Sequence, residues 1–181
     1  CFDSVNAFLQ AHGGVLKADC DDCVIVAAPE VAGEAFQKIV VGVGVRGGTV
    51  QPTKSKAYAT PEVKEAMAAA GHALPAGVTW GTNSDADGVE SFGLVVAGTP
   101  VGEPQFVLNH VTSVVQEVMA TITPVTDKLL SASANDHALQ CMRLSFRSRV
   151  NFLQQVVVPT PQVMAQYQRL DDALDEATGR I

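Results

Sequence analysis

Three aspartates fall within four positions, at Asp19, Asp21 and Asp22, and a short apolar run stands on either side of them. Val15-Leu16 precede the cluster and Cys23-Val24-Ile25-Val26-Ala27-Ala28 follow it. Two brief apolar runs around a polar cluster read as a β-hairpin with carboxylates at its tip. Neighbouring carboxylates at a tight bend repel each other, and a hard divalent cation offsets that repulsion, so the pattern points to a metal-binding bend. The alternative is that Asp21 and Asp22 cap a solvent-exposed turn, where Asp is common.

Around this hairpin the sequence alternates helices and short strands. Phe2, Val5, Phe8 and Leu9 recur at helical spacing until Gly13-Gly14 ends the pattern. Pro29-Glu30 opens a second helix reaching about Val41, and Gly42 to Gly48 is expected to be a flexible connection. Thr49-Val50 and Lys56 to Ala59 look like strand pieces, and Thr60-Pro61-Glu62 starts an Ala-rich helix over 60–71. Residues 77–91, rich in Gly, Asn, Asp, Ser and Thr, predict a mobile loop, and Phe92 to Val96 the next strand.

The character changes near residue 103. Phe106, Val111, Val114, Val115, Val118, Met119 and Ile122 form one apolar helical face. Leu139, Met142, Phe146, Val150, Leu153 and Val157 form another, beyond a break at 131–135. Pro159 and Pro161 end that second pattern, and Val163 to Ala177 supply a more acidic third helix. The expected fold class is therefore α+β, an antiparallel hairpin and sheet with packed helices over 1–103 and a small helical bundle over 104–181.

Composition narrows the function. No apolar run approaches the ~20 residues of a membrane helix, so no membrane span is expected. Four scattered cysteines are too few for a disulfide scaffold in 181 residues and favour a reducing, intracellular site, with the nucleus among the compartments open to it. The formal net charge of -7 opposes a chain that grips nucleic acid with its whole surface, because phosphate binding relies on Lys and Arg. Basic residues would have to act locally. Arg143, Arg147, Asn151 and Gln154 do share one helical face opposite the apolar stripe, suited either to a phosphate backbone or simply to solvent. The opening Cys1-Phe2-Asp3-Ser4 reads as the start of an excised segment.

Several segments together resemble the reverse transcriptases of retroelements without long terminal repeats. Asp19-Cys20-Asp21-Asp22 and Val24-Ile25-Val26 resemble the aromatic-x-Asp-Asp hairpin of the family's palm domain and its following strand. Gln51-Pro52-Thr53-Lys54-Ser55-Lys56 resembles a downstream Asn-Pro-x-Lys-Ser-Lys segment, and Leu94 to Gly102 an apolar strand ending in Gly-Thr-Pro-x-Gly. Arg149-Val150-Asn151-Phe152-Leu153 resembles a terminal Arg-x-Asn-x-Leu run, so the likeness spans about residues 1–160 in order.

The resemblance implies an RNA-directed DNA polymerase using two-metal nucleotidyl transfer, with Asp21 and Asp22 as ligands of Mg²⁺ or Mn²⁺. It implies that Lys54 lies near the incoming deoxynucleoside triphosphate and that Gly98, Thr99, Pro100 and Gly102 hold the primer end. Residues 104–160 would take the place of a thumb touching the template–primer duplex, with Arg143 and Arg147 on its backbone. Asp19 stands where the family has an aromatic residue, which implies altered metal binding or a decayed element. The upstream strand with a further metal-binding Asp, and the nucleotide-positioning segment, are not among these residues, so the isolated chain is expected not to polymerise.

Other strings carry less. Gly42-Val43-Gly44-Val45-Arg46-Gly47 matches a dinucleotide-binding fingerprint only as letters, because Gly48, Thr49 and Pro52 follow where a helix should begin. Cys20 and Cys23 form a C-x-x-C pair without the two further ligands a structural zinc needs. Asn83 to Gly88 starts like a calcium loop, yet Leu94 occupies its twelfth position. Two other functions remain open: a non-catalytic binding or assembly module, and a glycosyltransferase fragment whose D-x-D is Asp19-Cys20-Asp21.

Overall fold

The computed structural model describes residues 2–19 and 22–181, with Asp19 described by its backbone alone. The chain is a mixture of helices and small sheets, α+β in class, and divides into two compact units, Cys1–Gly81 and Thr82–Ile181. No helix among the described residues is long and apolar enough to cross a membrane.

The first unit opens with α1 (Asp3–Ala11), which buries Val5 and Leu9 completely. Its end follows from Gly13, whose φ of 71° is costly for any residue with a Cβ. There the Gly14 amide donates to Leu9 O (2.7 Å) and the Gly13 amide to Gln10 O (3.3 Å), the paired bonds of a left-handed C-terminal cap. The chain then turns into the antiparallel pair β1 (Val15–Asp19) and β2 (Asp22–Val26), in register Val15↔Val26, Leu16↔Ile25 and Asp19↔Asp22.

Side chains alternate across a strand, so Leu16 and Ile25 share the face that packs on the helices. Val15, Val26 and Asp22 lie on the other, solvent-exposed face. A two-stranded hairpin is marginal alone, and this one is supported by α1 and α2 (Pro29–Gly44), whose Val31, Ala35 and Ile39 complete the small core. Pro29 takes the first helical position, where its missing N–H costs nothing. The expected flexible connection over 42–48 is shorter than the glycines suggested: Gly42, Val43 and Gly44 continue α2, and the break comes at Gly47, with φ of 79°.

Beyond a single 3-10 turn at Pro52–Lys54, the strand β3 (Lys56–Ala57) pairs in parallel with β4 (Thr79–Trp80), with α3 (Pro61–Ala69) in the crossover. Thr49-Val50, expected as a strand piece, joins no strand; Val50 packs against the α1–α2 core instead. Lys56 Nζ donates to Thr79 Oγ1 across the pair (2.9 Å), and the Lys64 ammonium lies 4.7 Å from the Trp80 ring centre.

In the second unit, β5 (Thr82–Ser84), β6 (Glu90–Val96) and β7 (Thr99–Gly102) form an antiparallel sheet. The expected mobile loop over 77–91 is thereby corrected, since much of it is strand. Its remaining turn is closed by Asp85, whose Oδ1 accepts from the Asp87 and Val89 amides at 3.0 and 2.9 Å. The carboxylate in the calcium-like string is thus spent on its own backbone.

The long helix α4 (Pro104–Ser131) leads into α5 (Asn135–Gln140), a π-helical segment at Cys141–Phe146, α6 (Ser148–Val156) and α7 (Pro161–Gly179). The buried residues Ala138, Met142, Phe146 and Val150 recur strictly every fourth position. In an α-helix each step of four overshoots one turn by ~40°, so the stripe would wind off the core. The wider π turn absorbs the drift and keeps it facing Val111, Val115, Val118 and Ile122 of α4 and Val163, Tyr167, Leu170 and Leu174 of α7. Full burial of each such side chain contributes roughly 1.5–3 kcal/mol, which makes this bundle the dominant core of its unit. Leu139, expected on the stripe, is only half-buried, and Ala138 takes its place.

The division between units falls at Gly81, whereas the change in sequence character falls near residue 103. Side-chain pairing across that second point accounts for it. Asn83 Nδ2 donates to Phe106 O (2.9 Å), Ser91 Oγ donates to Asn83 Oδ1 (2.6 Å), and Asn109 Nδ2 reaches both Asn83 Oδ1 and Ser91 Oγ (3.2 and 3.3 Å). Glu103 adds a reciprocal pair with the Phe92 backbone, each bond 2.9 Å. The three-stranded sheet is therefore anchored to the first turns of α4.

Candidate metal centre and nucleic-acid interface

The bend of the first hairpin is set by its register. Asp19 and Asp22 are cross-strand partners, so only Cys20 and Asp21 lie between the strands, and both are outside the described residues. Asp22 is exposed on the face of β2 turned away from the α1–α2 core, the side it shares with Val24 and Val26. Lys17, paired with Val24, lies on that same face and is also exposed. The carboxylate is therefore open to a cation from solvent.

Aspartates at one bend offer hard oxygen donors, which suit Mg²⁺ or Mn²⁺, and Mg²⁺ needs only one or two carboxylates if waters complete its shell. Among the described residues no group of three or more His, Cys, Asp and Glu side chains forms. Asp21, the other expected ligand, lies outside the described residues, and Asp22 stands as an exposed oxygen donor at the end of β2.

Cys23 is exposed beside Asp22, and its thiol is pushed above the usual value by desolvation and then by the neighbouring carboxylate. A raised thiol is a poor nucleophile and a poor zinc ligand at neutral pH. Cys23 is accordingly predicted to alkylate with iodoacetamide more slowly than an unhindered thiol. The variant Asp22→Asn should speed it, because one of the two causes of the raised value is removed. Peptide mapping by mass spectrometry reads both rates, and an unchanged rate in the variant contradicts the electrostatic coupling.

Lys54 closes the 3-10 turn after Pro52 and is exposed, with no side-chain partner among the described residues. It belongs to the same unit as the hairpin.

The glycine-rich hairpin belongs to the second unit. Ala97 and Gly98, with φ of 48° and 80°, form its two-residue turn between β6 and β7, a mirror-image turn that matches the twist of the strands. Pro100 is buried, and the Phe152 ring of α6 lies against Gly98, with Cε1 3.5 Å from where a Cβ on that glycine would stand. Gly102 is the cross-strand partner of Gly93. Thr99, Pro100 and Gly102 thus sit in one short strand whose position is fixed from α4 and α6.

Arg143 and Arg147 are both exposed on the outside of the bundle, as are Asn151 and Gln154. Arg147 is already engaged: its Nη2 lies 3.3 Å from Asp171 Oδ1 on α7. Arg149 is likewise held by Glu117 of α4. These carboxylate partners, and the Asn83–Ser91–Asn109 cluster, were not visible in the sequence. Each depends on residues brought together from 18 to 32 positions apart, where no periodic pattern reaches.

No family model matches the chain, and searches among characterised proteins and among solved structures find no match either.

Proposed function

We propose that these residues are part of an RNA-directed DNA polymerase of the reverse-transcriptase kind, with residues 1–103 belonging to its palm and 104–181 to a thumb-like helical region. The observation that carries the reading is the hairpin register, in which Asp19 pairs with Asp22 at the end of an antiparallel pair that is followed by a helix. The glycine-rich turn between β6 and β7 adds support.

On this reading Asp21 and Asp22 hold Mg²⁺ or Mn²⁺, which when bound activates the primer hydroxyl and stabilises the leaving pyrophosphate. Lys54 meets the phosphates of an incoming deoxynucleoside triphosphate with a point charge. Gly98, Thr99, Pro100 and Gly102 support the primer end on a turn without bulky side chains at its glycines. Arg143 and Arg147 contact the duplex backbone, which fixes position without reading sequence.

The test is binding of an RNA–DNA hybrid duplex. Replacing both Arg143 and Arg147 with Gln should weaken binding several-fold and flatten the dependence of log K on log salt by roughly two, about 0.9 for each lost phosphate contact. An unchanged salt slope contradicts the interface. The same 181 residues should not extend a primer by themselves, because the resemblance requires a further metal-binding Asp and a nucleotide-positioning segment that they do not contain. Measurable extension would refute that.

A second reading is a non-catalytic binding module, favoured by Asp19 in place of an aromatic residue and by the engagement of Arg147 with Asp171. Such a module shows no response to divalent ions. A D-x-D transferase, by contrast, prefers a nucleotide-diphosphate sugar with Mn²⁺.

A further inference from the structure

We propose that Asp171 of α7 is a built-in competitor for Arg147 of the helical face, so that a phosphate backbone binds there by displacing it. The inference rests on the nucleic-acid reading of that face. Between residues 135 and 156 the chain carries three arginines, Arg143, Arg147 and Arg149. Two of the three meet carboxylates from other helices, Arg147 with Asp171 at 3.3 Å and Arg149 with Glu117 at 2.5 Å.

Both pairs are solvent-exposed, with the arginine side chains 61% and 45% accessible. Exposed ion pairs are weak and screened by salt, so they reduce the local positive field without locking the guanidinium away from a polyanion. A phosphate offers the same bidentate chemistry as a carboxylate, together with counterion release along a whole backbone. The Asp171 pair thus lowers the affinity of the face by a small factor, which the many phosphates of an extended backbone offset. Such a device lets a chain of formal net charge -7 keep a basic contact face.

The test measures the affinity of a fluorescent RNA–DNA hybrid by anisotropy at one fixed, low salt concentration. Asp171→Asn should tighten binding about two- to fivefold, the range that loss of a weak surface competitor allows. Asp175→Asn removes the same charge from the same helix at an exposed carboxylate with no arginine partner among the described residues, and should tighten it distinctly less. In an Arg147→Gln background, Asp171→Asn should have no more effect than Asp175→Asn, which isolates the pairwise coupling.

Equal tightening by both Asn variants, tightening that persists without Arg147, or no tightening overturns the proposal. If the unaltered chain binds in an arginine-dependent way while Asp171→Asn changes nothing, this inference alone fails. If neither the chain nor Asp171→Asn binds the hybrid, the nucleic-acid reading fails with it. Binding that emerges only in Asp171→Asn supports the competition directly.

Discussion

Replacing Gly93 with Ala is expected to destabilise the second unit by more than ~3 kcal/mol, at the upper end of overpacking costs. A Cβ built there falls 2.4 Å from the Phe106 ring and 2.7 Å from Val101 O, and neither neighbour is free to withdraw. Phe106 is buried at the start of α4, and Val101 O belongs to the facing strand. Gly102, the cross-strand partner, is equally constrained: its Cβ would meet Gly93 Cα at 2.4 Å and Phe92 O at 2.5 Å.

The two glycines therefore let the β6–β7 ladder and the Phe106 ring approach to a distance no other residue permits. Since whole domains are stable by only about 5–15 kcal/mol, either substitution removes a large share of the unit's margin. Urea unfolding followed by far-ultraviolet circular dichroism should show a lowered midpoint for Gly93→Ala and for Gly102→Ala. Gly33→Ala serves as the contrast. Its Cβ meets nothing within 4 Å inside α2, so it should raise stability by up to ~1 kcal/mol through helix propensity. A neutral result at Gly93 would mean that the sheet and α4 are not packed as described.

The same comparison separates what the sequence could express from what it could not. α1, α2, α3 and α7 were legible because their ends are written locally, in Gly13-Gly14, Pro29, Pro61 and Pro161. The β1–β2 hairpin was legible for the same reason, with two apolar runs and a polar bend lying side by side in the chain. Residues 77–91 misled, because Thr82, Asn83 and Ser84 carry loop composition, yet their backbone pairs with Phe92, Ser91 and Glu90 of β6, and Asn83 is held further by Phe106 O and Asn109 of α4. Leu139, Met142, Phe146 and Val150 read as one ordinary helical face, and the π turn over Cys141–Phe146 was not legible because it depends on the facing surfaces of α4 and α7.

Of the acidic bend, the structure describes the position of Asp22 but not of Asp21. An acidic bend between apolar runs fixes where Asp22 stands, because the register follows from the alternation of the strands. The sequence offered no means of seeing that the helical arginines have carboxylate partners. Asp171 lies 24 positions from Arg147, and Glu117 lies 32 from Arg149.

The second large effect concerns the acidic bend. A divalent ion about 4 Å from one carboxylate gains roughly 2 kcal/mol even at the dielectric constant of water, about thirtyfold in affinity. Removing either Asp21 or Asp22 should cost at least that much, and removing both should abolish binding at millimolar ion. Glu34→Gln, on α2 and paired with Lys38, should leave binding unchanged.

The decisive measurement is a Mn²⁺ titration of the purified chain by electron paramagnetic resonance, repeated on Asp21→Asn, Asp22→Asn and the double variant. Weak binding is expected in the unaltered chain, a drop of about thirtyfold or more in each single variant, and none in the double. Mn²⁺ binding that survives the double substitution, or an unaltered chain that binds no Mn²⁺ at all, would contradict it.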